Sequence, residues 1–566
     1  MRVTSTKRAA IVAAVGIVVG IVVGGWAGAV LAQYPQISDD LRKQAEAAKA
    51  EADRRSDEAF ARAMPEIEAW AKKGKPFIQD ASKPSDLPQA TIPAFPGAEG
   101  GGRHSFGGRG GKVFVVTSLD DSGPGTFREA CEAGGPRIVV FNVAGIIRLE
   151  ERIRIRAPYI TIDGSTAPGD GVCIAGNTVE LDTHDVVIRH MRFRRGATDV
   201  RDRNDSIGGN PIGNIMIDHV SASWGLDENM SMYRHMYKPT DGGKDLKLPT
   251  VNITIQNSIF SEGLNTYHHA FGSTIGGTNC TFMRNLWANN TGRNPSMGMG
   301  GDFTYVNNVI FNWRHRTTDG GDGTSRVNSI ANYFKPGPGT PAGRPIAWRI
   351  LKAESRTKPP AEKEFGKFHV TGNVIEGNEK VTADNWAGGV QFADEEDVKD
   401  QSLDDLARKY AAASRADEPF PHAPLRITSA QEAYDEVLAN AGATLPRRDA
   451  VDERVVKMVR TGEVGHPVVE PDLFDRLNKV KYTEERVREL VNLVPLGFIT
   501  DPAQVGGYPE YRGAPYADAD RDGMPDDYEK QHGLNASDPT DAAGDRDGDG
   551  YTNVEAYLYE IAPKGR

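Results

Sequence analysis

Between about residue 110 and residue 390 the chain is written in short apolar runs, each broken near its middle by one polar residue. The clearest are VVIRHMRF, IMIDHVSA, ITIQNSIF, TFMRNLWA, TYVNNVIF, NSIANYF and HVTGNVI, and their composition predicts strands. Aligned on the central polar residue they superpose His190, His219, Asn257, Asn285, Asn308, Asn332 and Asn373, at intervals of 29, 38, 28, 23, 24 and 41 residues. Periods of this size, with insertions, predict a solenoid in which each turn adds a strand to the same sheet. An inward Asn at a fixed bend can hydrogen-bond its neighbours above and below. The pattern therefore predicts a parallel β-helix with an asparagine ladder. A β-sandwich with coincidental asparagines does not explain why the apolar flanks keep one register.

The flanking segments have other periods. Residues 37–75 are rich in Ala, Glu, Lys and Arg, which predicts a solvated helical stalk, and a Pro-containing linker follows. From about Ser402 the runs SLDDLARKYAAASR, TSAQEAYDEVLANAGA and DERVVKMVRTG carry apolar residues at i, i+3, i+4, predicting helices that cover the C-terminal end of the solenoid. At the N-terminus a basic start precedes an uncharged apolar run from Ala9 to Ala32, an export signal cut before Gln33 or an uncleaved membrane anchor. The expected organisation is a signal or anchor over 1–32, stalk and linker over 33–90, β-helix over 91–400, helical extension over 401–510 and a small module over 511–566.

Composition narrows the function classes. The 62 glycines fit a turn-rich β architecture, and three cysteines allow at most one internal disulfide, so packing must stabilise the fold. The formal charge is −11, and residues 511–566 hold 13 acids against 6 Lys and Arg. Nucleic acid is excluded as a partner on that balance. The acidic tail is organised: DADRDGMPDDYE places Asp518, Asp520, Asp522, Gly523, Asp526 and Glu529 at the 1, 3, 5, 6, 9 and 12 offsets of an EF-hand-like calcium loop. In a second loop Asp545, Asp547, Asp549, Gly550 and Asn553 repeat the first five offsets, with Glu555 one place early. The pair is similar to the dockerin and thrombospondin-type calcium repeats of secreted carbohydrate-active enzymes.

A second acid site belongs to the solenoid. The strand in IMIDHVSASWGLDENMS exits into Asp227 and Glu228, and Asp205 follows a strand one turn earlier. Successive turns lie about 4.8 Å apart, so Asp205 and Asp227 converge and suit an oxygen-coordinated calcium ion. Six arginines stand between Arg189 and Arg203. Some of them pair with surface acids, but calcium combined with arginine suits a carboxylate-bearing polyanion.

The stretches FPGAEGGGRHSFGGRGGKVFVVTSLDDSGPGTFREA, IMIDH and TGRNP resemble the pectate lyases of polysaccharide lyase family 1, from about Ala94 to Asn373. The resemblance implies an all-β, right-handed parallel β-helix that cleaves polygalacturonate by calcium-assisted β-elimination. It implies Arg293 as Brønsted base and Asp205 and Asp227 as calcium ligands. The chain departs from the family pattern at Gly298, where a second arginine is expected, and at Ser231, where a further acid is expected. The family's substrate-binding lysine also has no counterpart, which leaves His268, His269, Arg314 and Arg316 as substrate-binding candidates. The expected setting is a secreted or cell-envelope monomer acting on an acidic plant polysaccharide. A polygalacturonase-type hydrolase and a non-catalytic polysaccharide-binding β-helix remain as alternatives.

Overall fold

The computed structural model describes residues 36–197, 202–398, 402–465 and 480–561. The predicted parallel β-helix is observed. A ten-stranded parallel sheet runs from Lys112–Val116 to Lys367–Thr371, and a nine-stranded second sheet from Gly145–Arg148 to Val374–Ile375. The third face is split into a four-stranded segment ending at Met230–Ser231 and a five-stranded segment beginning at Thr274–Ile275. A parallel bridge between Met232 and Ile275 joins the two segments. Ile188, Ile217, Ile255 and Phe282 follow one another in register along the first sheet and are buried inside the coil. Stacking like residues on successive turns gives one continuous apolar column, each such side chain contributing about 1.5–3 kcal/mol.

The ladder is real but begins one residue later than predicted in its early turns. Asn285 Nδ2 donates to Asn308 Oδ1 at 3.1 Å, Asn308 to Asn332 at 3.0 Å, Asn332 to Asn373 at 2.8 Å and Asn373 to Asn385 at 3.0 Å. Ser258, and not Asn257, stands below Asn285, whose Oδ1 accepts the Ser258 amide at 2.9 Å. His190, His219 and Asn257 occupy the preceding bend with φ of 50, 53 and 50°. A left-handed bend is open to Asn and His more readily than to most residues, so both positions favour the same residue types. That shared preference displaced the alignment.

The predicted N-terminal helix spans Asp39–Ala71, and it lies on the solenoid instead of projecting from it. Ala63 and Ile67 pack with Ala157, and Asp53 and Asp57 pair with Arg152 and Arg156. The helical extension also differs from expectation. Leu403–Ser414 does sit near the end of the coil, with Tyr410 against Phe365 and Phe392. Ala430–Asn440 and Ala450–Thr461 instead cover the outer face of the second sheet, burying Ile259, Leu286, Val309 and Phe311. Cys131, Cys173 and Cys280 are all buried and free. No helix among the described residues is long and apolar enough to cross a membrane, and the N-terminal apolar run lies outside them.

Candidate active site

The connections that leave the second sheet and enter the third place Asp205, Glu228, Phe271 and Arg293 on successive turns. Parallel bridges link Glu228 to Phe271 and Phe271 to Gly292, so the solenoid repeat itself stacks these residues along one line. Asp205, Asp227 and Glu228 each offer a carboxylate oxygen, and these oxygens lie within 4.8 Å of one another. Burial and the neighbouring acids push Asp205 well above the usual carboxylate range, and burial with Asp227 raises Glu228. Burial also works to raise Asp227, but the hydrogen bond from His269 and the charge of Arg203 outweigh it and hold this acid lower. Three converging carboxylates, Glu228 buried and Asp205 and Asp227 half-buried, two of them reluctant to ionise, are the donor set that a hard divalent cation satisfies. The residues fit calcium.

Arg293 faces the same cluster. Its Nη1 pairs with Glu228 Oε1, and its guanidinium carbon lies 4.6 Å from the centre of the Phe271 ring. Arg316 stacks on Phe271 at the same distance, 4.6 Å, and pairs with Asp319 at 3.4 Å. Phe271 therefore fixes both guanidinium groups against one apolar plate. Burial disfavours the Arg293 cation, yet Glu228 and Asp227 outweigh burial and raise its pKa. The acids that would ligate an ion are thus the same ones that hold the arginine's proton.

The cleft has two halves, of about 340 and 440 Å³, which share Tyr233, Thr274 and Arg293. The acids occupy the first half. The second is walled by the antiparallel hairpin of Arg234–Tyr237 and Leu246–Pro249. Here Tyr233 carries Arg234 at 5.1 Å and Lys247 at 5.3 Å from its ring centre. Among the described residues Lys247 and Arg356 in this half, and Arg234 in the other, form no ion pair; of the acids in this half Asp319 pairs with Arg316 and Glu354 with Lys352, while Asp322 accepts bonds from Thr324 and Ser325 and has no ion-pair partner. This half is open to an anion.

Both departures from the family pattern have a structural reason. A Cβ at Gly298 would lie 2.3 Å from Tyr233 Cδ2, so the hairpin's aromatic ring takes the volume an arginine needs. At Ser231 the hydroxyl accepts the Thr274 amide at 3.0 Å, and the third acid comes from Glu228. Glu228 stood beside Asp227 in the sequence, but strand alternation alone would point neighbours to opposite sides. Only the bend after Gly225 turns both inward.

The remaining predicted residues separate. His269 holds Asp227, whereas His268 and Arg314 line neither half of the cleft. Most of the arginine cluster is structural: Arg194 is fully buried, 2.8 Å from Asp449 and 2.9 Å from Asp452. Arg189 bridges Asp163 and Asp218, Arg195 holds backbone carbonyls, and Arg203 reaches the cleft. In the tail, Asp518, Asp520 and Asp522 converge, as do Asp545, Asp547 and Asp549. Asp526 turns to accept the Ala519 amide at 2.8 Å and Asn553 the Arg546 amide at 3.1 Å, the same local bond in each loop. Glu555 is committed to Arg109 at 3.0 Å, so the second loop lacks its last acid.

The third face of this parallel β-helix therefore opens into a cleft where acids converge beside an aligned arginine. No family model matches the chain. It is 33% identical over 489 residues to a probable pectate lyase C of Aspergillus flavus, covering 84% of this chain and 95% of that protein. A probable pectate lyase C of Aspergillus oryzae gives 33% over 489 residues, with the same coverage of 84% and 95%. The chain belongs to the pectate lyase family. Among solved structures, the major allergen from cedar pollen aligns with 18% identity and a TM-score of 0.41, covering 61% of this chain and 92% of that one.

Proposed function

We propose that this protein is an exported enzyme that cleaves pectate, the de-esterified polygalacturonate, by calcium-assisted β-elimination in the cleft around Arg293. The observation that carries the reading is the convergence of Asp205, Asp227 and Glu228 opposite Arg293, with Lys247 and Arg356 outside any ion pair in the neighbouring half of the cleft. Calcium held by those three acids and by a substrate carboxylate would stabilise the enolate-like charge that builds up next to the uronate carboxylate. The chain's own residues do the rest. Phe271 and Arg316 keep the Arg293 guanidinium in place, and once Glu228 is engaged elsewhere Arg293 loses the partner that favours its proton. With its own proton released, it takes the C5 proton while the C4–O4 bond breaks, leaving a C4=C5 double bond and a departing O4 that takes up a proton from water. Lys247, Arg234 and Arg356 bind further uronates along the polymer and so replace the cation that Gly298 cannot supply. Export is supported by the basic start and apolar run at the N-terminus.

An inverting hydrolase is disfavoured by spacing, because its carboxyl pair needs about 6.5–9.5 Å and oxygens of these acids converge within 4.8 Å. Purified protein incubated with polygalacturonate, with and without chelator, tests the reading. Ultraviolet absorbance from a new conjugated double bond, lost with chelator, is expected. Reducing sugar without that absorbance means hydrolysis, and neither signal means a binding protein.

A further inference from the structure

The acidic tail does not hang free. Met524, Ala542, Val554, Tyr557 and Leu558 pack on Ile138 and Val140 of the first sheet. The loop glycine itself touches the coil: a Cβ on Gly523 would lie 2.6 Å from Val140. Around this contact Arg109 pairs with Glu555, Tyr559 Oη donates to the Ala94 carbonyl at 2.8 Å, and Asn142 exchanges bonds of 2.8 and 2.9 Å with the backbone of Tyr516.

Several carboxylate oxygens of the first loop are buried without protein partners, while Asp518 accepts the Asp522 and Gly523 amides at 3.1 and 3.2 Å. Glu529 is 0% exposed and neither of its oxygens accepts a bond; Asp522 is 1% exposed and its Oδ2 is likewise unpartnered. Both oxygens of Asp520 are in the same condition. Asp541 comes from outside the loop, on the short turn Asp541–Ala543 that precedes the second loop. Its Oδ2 accepts the Asn535 amide at 2.8 Å, while Oδ1 is buried, unpartnered and grouped within 4.8 Å with Asp522 and Glu529. A desolvated carboxylate without a donor is among the most costly arrangements in a protein. Here several meet at one point, where one divalent cation would satisfy them together.

We propose that Asp541 joins Asp518, Asp520, Asp522 and Glu529 in one calcium site that ties the first loop to the turn before the second, and that its occupancy clasps the tail onto the first sheet of the catalytic coil. The inference rests on the reading of the first loop as a calcium loop and is independent of the lyase chemistry. Met524 follows the ligand Asp522 by two residues and is fully buried against the sheet, so the ligand geometry and the docking contact belong to the same short backbone. With the site empty, mutual repulsion works against holding that backbone closed. With it filled, the loop, the turn at Asp541 and the helix Asn553–Ile561 are tied together on the coil.

The test uses the full chain carrying Asp227→Asn, which weakens the groove as a competing site. It compares this parent with Asp541→Asn and with the near-isosteric Glu529→Gln added, each checked for fold by circular dichroism. Calcium is titrated calorimetrically, with thermal melts and limited proteolysis in calcium or chelator. Calcium should raise the melting temperature of the parent and protect residues 511–561. Asp541→Asn and Glu529→Gln should each weaken binding at least tenfold and shrink that rise. Undiminished binding by Asp541→Asn overturns its assignment, and equal protease protection in calcium and chelator overturns the clasp. A parent that binds no calcium in the tail shows instead that the loop itself has been misread.

Discussion

Glu228→Gln isolates the residue that links ion and arginine. Glu228 is 5% exposed, pairs with Arg293 and accepts the Thr274 hydroxyl at 3.0 Å. The amide keeps the shape and one acceptor but removes the charge. Losing a charged ligand interaction costs about 2–3 kcal/mol, on the scale of hydrogen bonds to ionised groups. The parent must first release Arg293, a partner whose side chain is 27% exposed. That release costs it about 1 kcal/mol after solvent screening. The difference, about 1–2 kcal/mol, weakens calcium about 5- to 30-fold. Initial rates of unsaturated-product formation are to be measured across a calcium titration at fixed polygalacturonate. The half-saturating calcium concentration should rise by that factor while the rate at saturating calcium stays within a few-fold of the parent. An unchanged calcium midpoint would refute the assignment, and a rate lost at every calcium level would place Glu228 in the proton transfer instead.

Arg293→Lys should retain fold and much of the polymer binding but lose most turnover, since an ammonium cannot lie flat against Phe271 and present the same nitrogen; near-parental rates in the absorbance assay would remove Arg293 from the chemistry. Lys247→Ala and Arg356→Ala should raise KM for oligogalacturonates several-fold with kcat preserved, and a change in kcat alone would show that the cationic half does not bind substrate. Asp449→Ala should cost about 1.5–3 kcal/mol by removing one of the two buried carboxylates that hold Arg194, Asp452 remaining, as read by denaturant unfolding. Burial works to raise Asp449, but Arg194 and Arg192 outweigh it and hold its carboxyl well below the usual range. The stability it contributes is therefore complete above the unfolded value of about 3.9 and is lost as pH falls through and below it. The variant's melting temperature should show a smaller acid decline than the parent's. Truncation after Arg512 should lower stability, because Ile138 and Val140 lose their cover at about 1.5–3 kcal/mol each, an upper bound; an unchanged melting temperature would mean that the tail is not part of the folded core.

The sequence by itself determined the coil, because a solenoid repeats one local pattern and its period survives insertions in the turns. It also displayed the EF-hand-like offsets of the tail, since a motif at fixed local offsets is legible without a fold, whereas Arg293 was singled out only by the resemblance of TGRNP to a lyase motif. The ladder was displaced in its first turns because bend and ladder positions favour the same amide side chains. What only the tertiary structure decided is which charges meet. Arg194 and Arg203 look alike nine residues apart, yet one is buried against a helix more than 250 residues later and the other opens into the cleft. Glu228 and Asp541 were equally hidden. The first is turned inward by a bend that breaks strand alternation, and the second reaches its cluster from outside the loop that defines it. A repeat fixes backbone register through local propensity and hydrogen bonding, whereas a carboxylate's partners are set by distances through space, which only the packed chain defines.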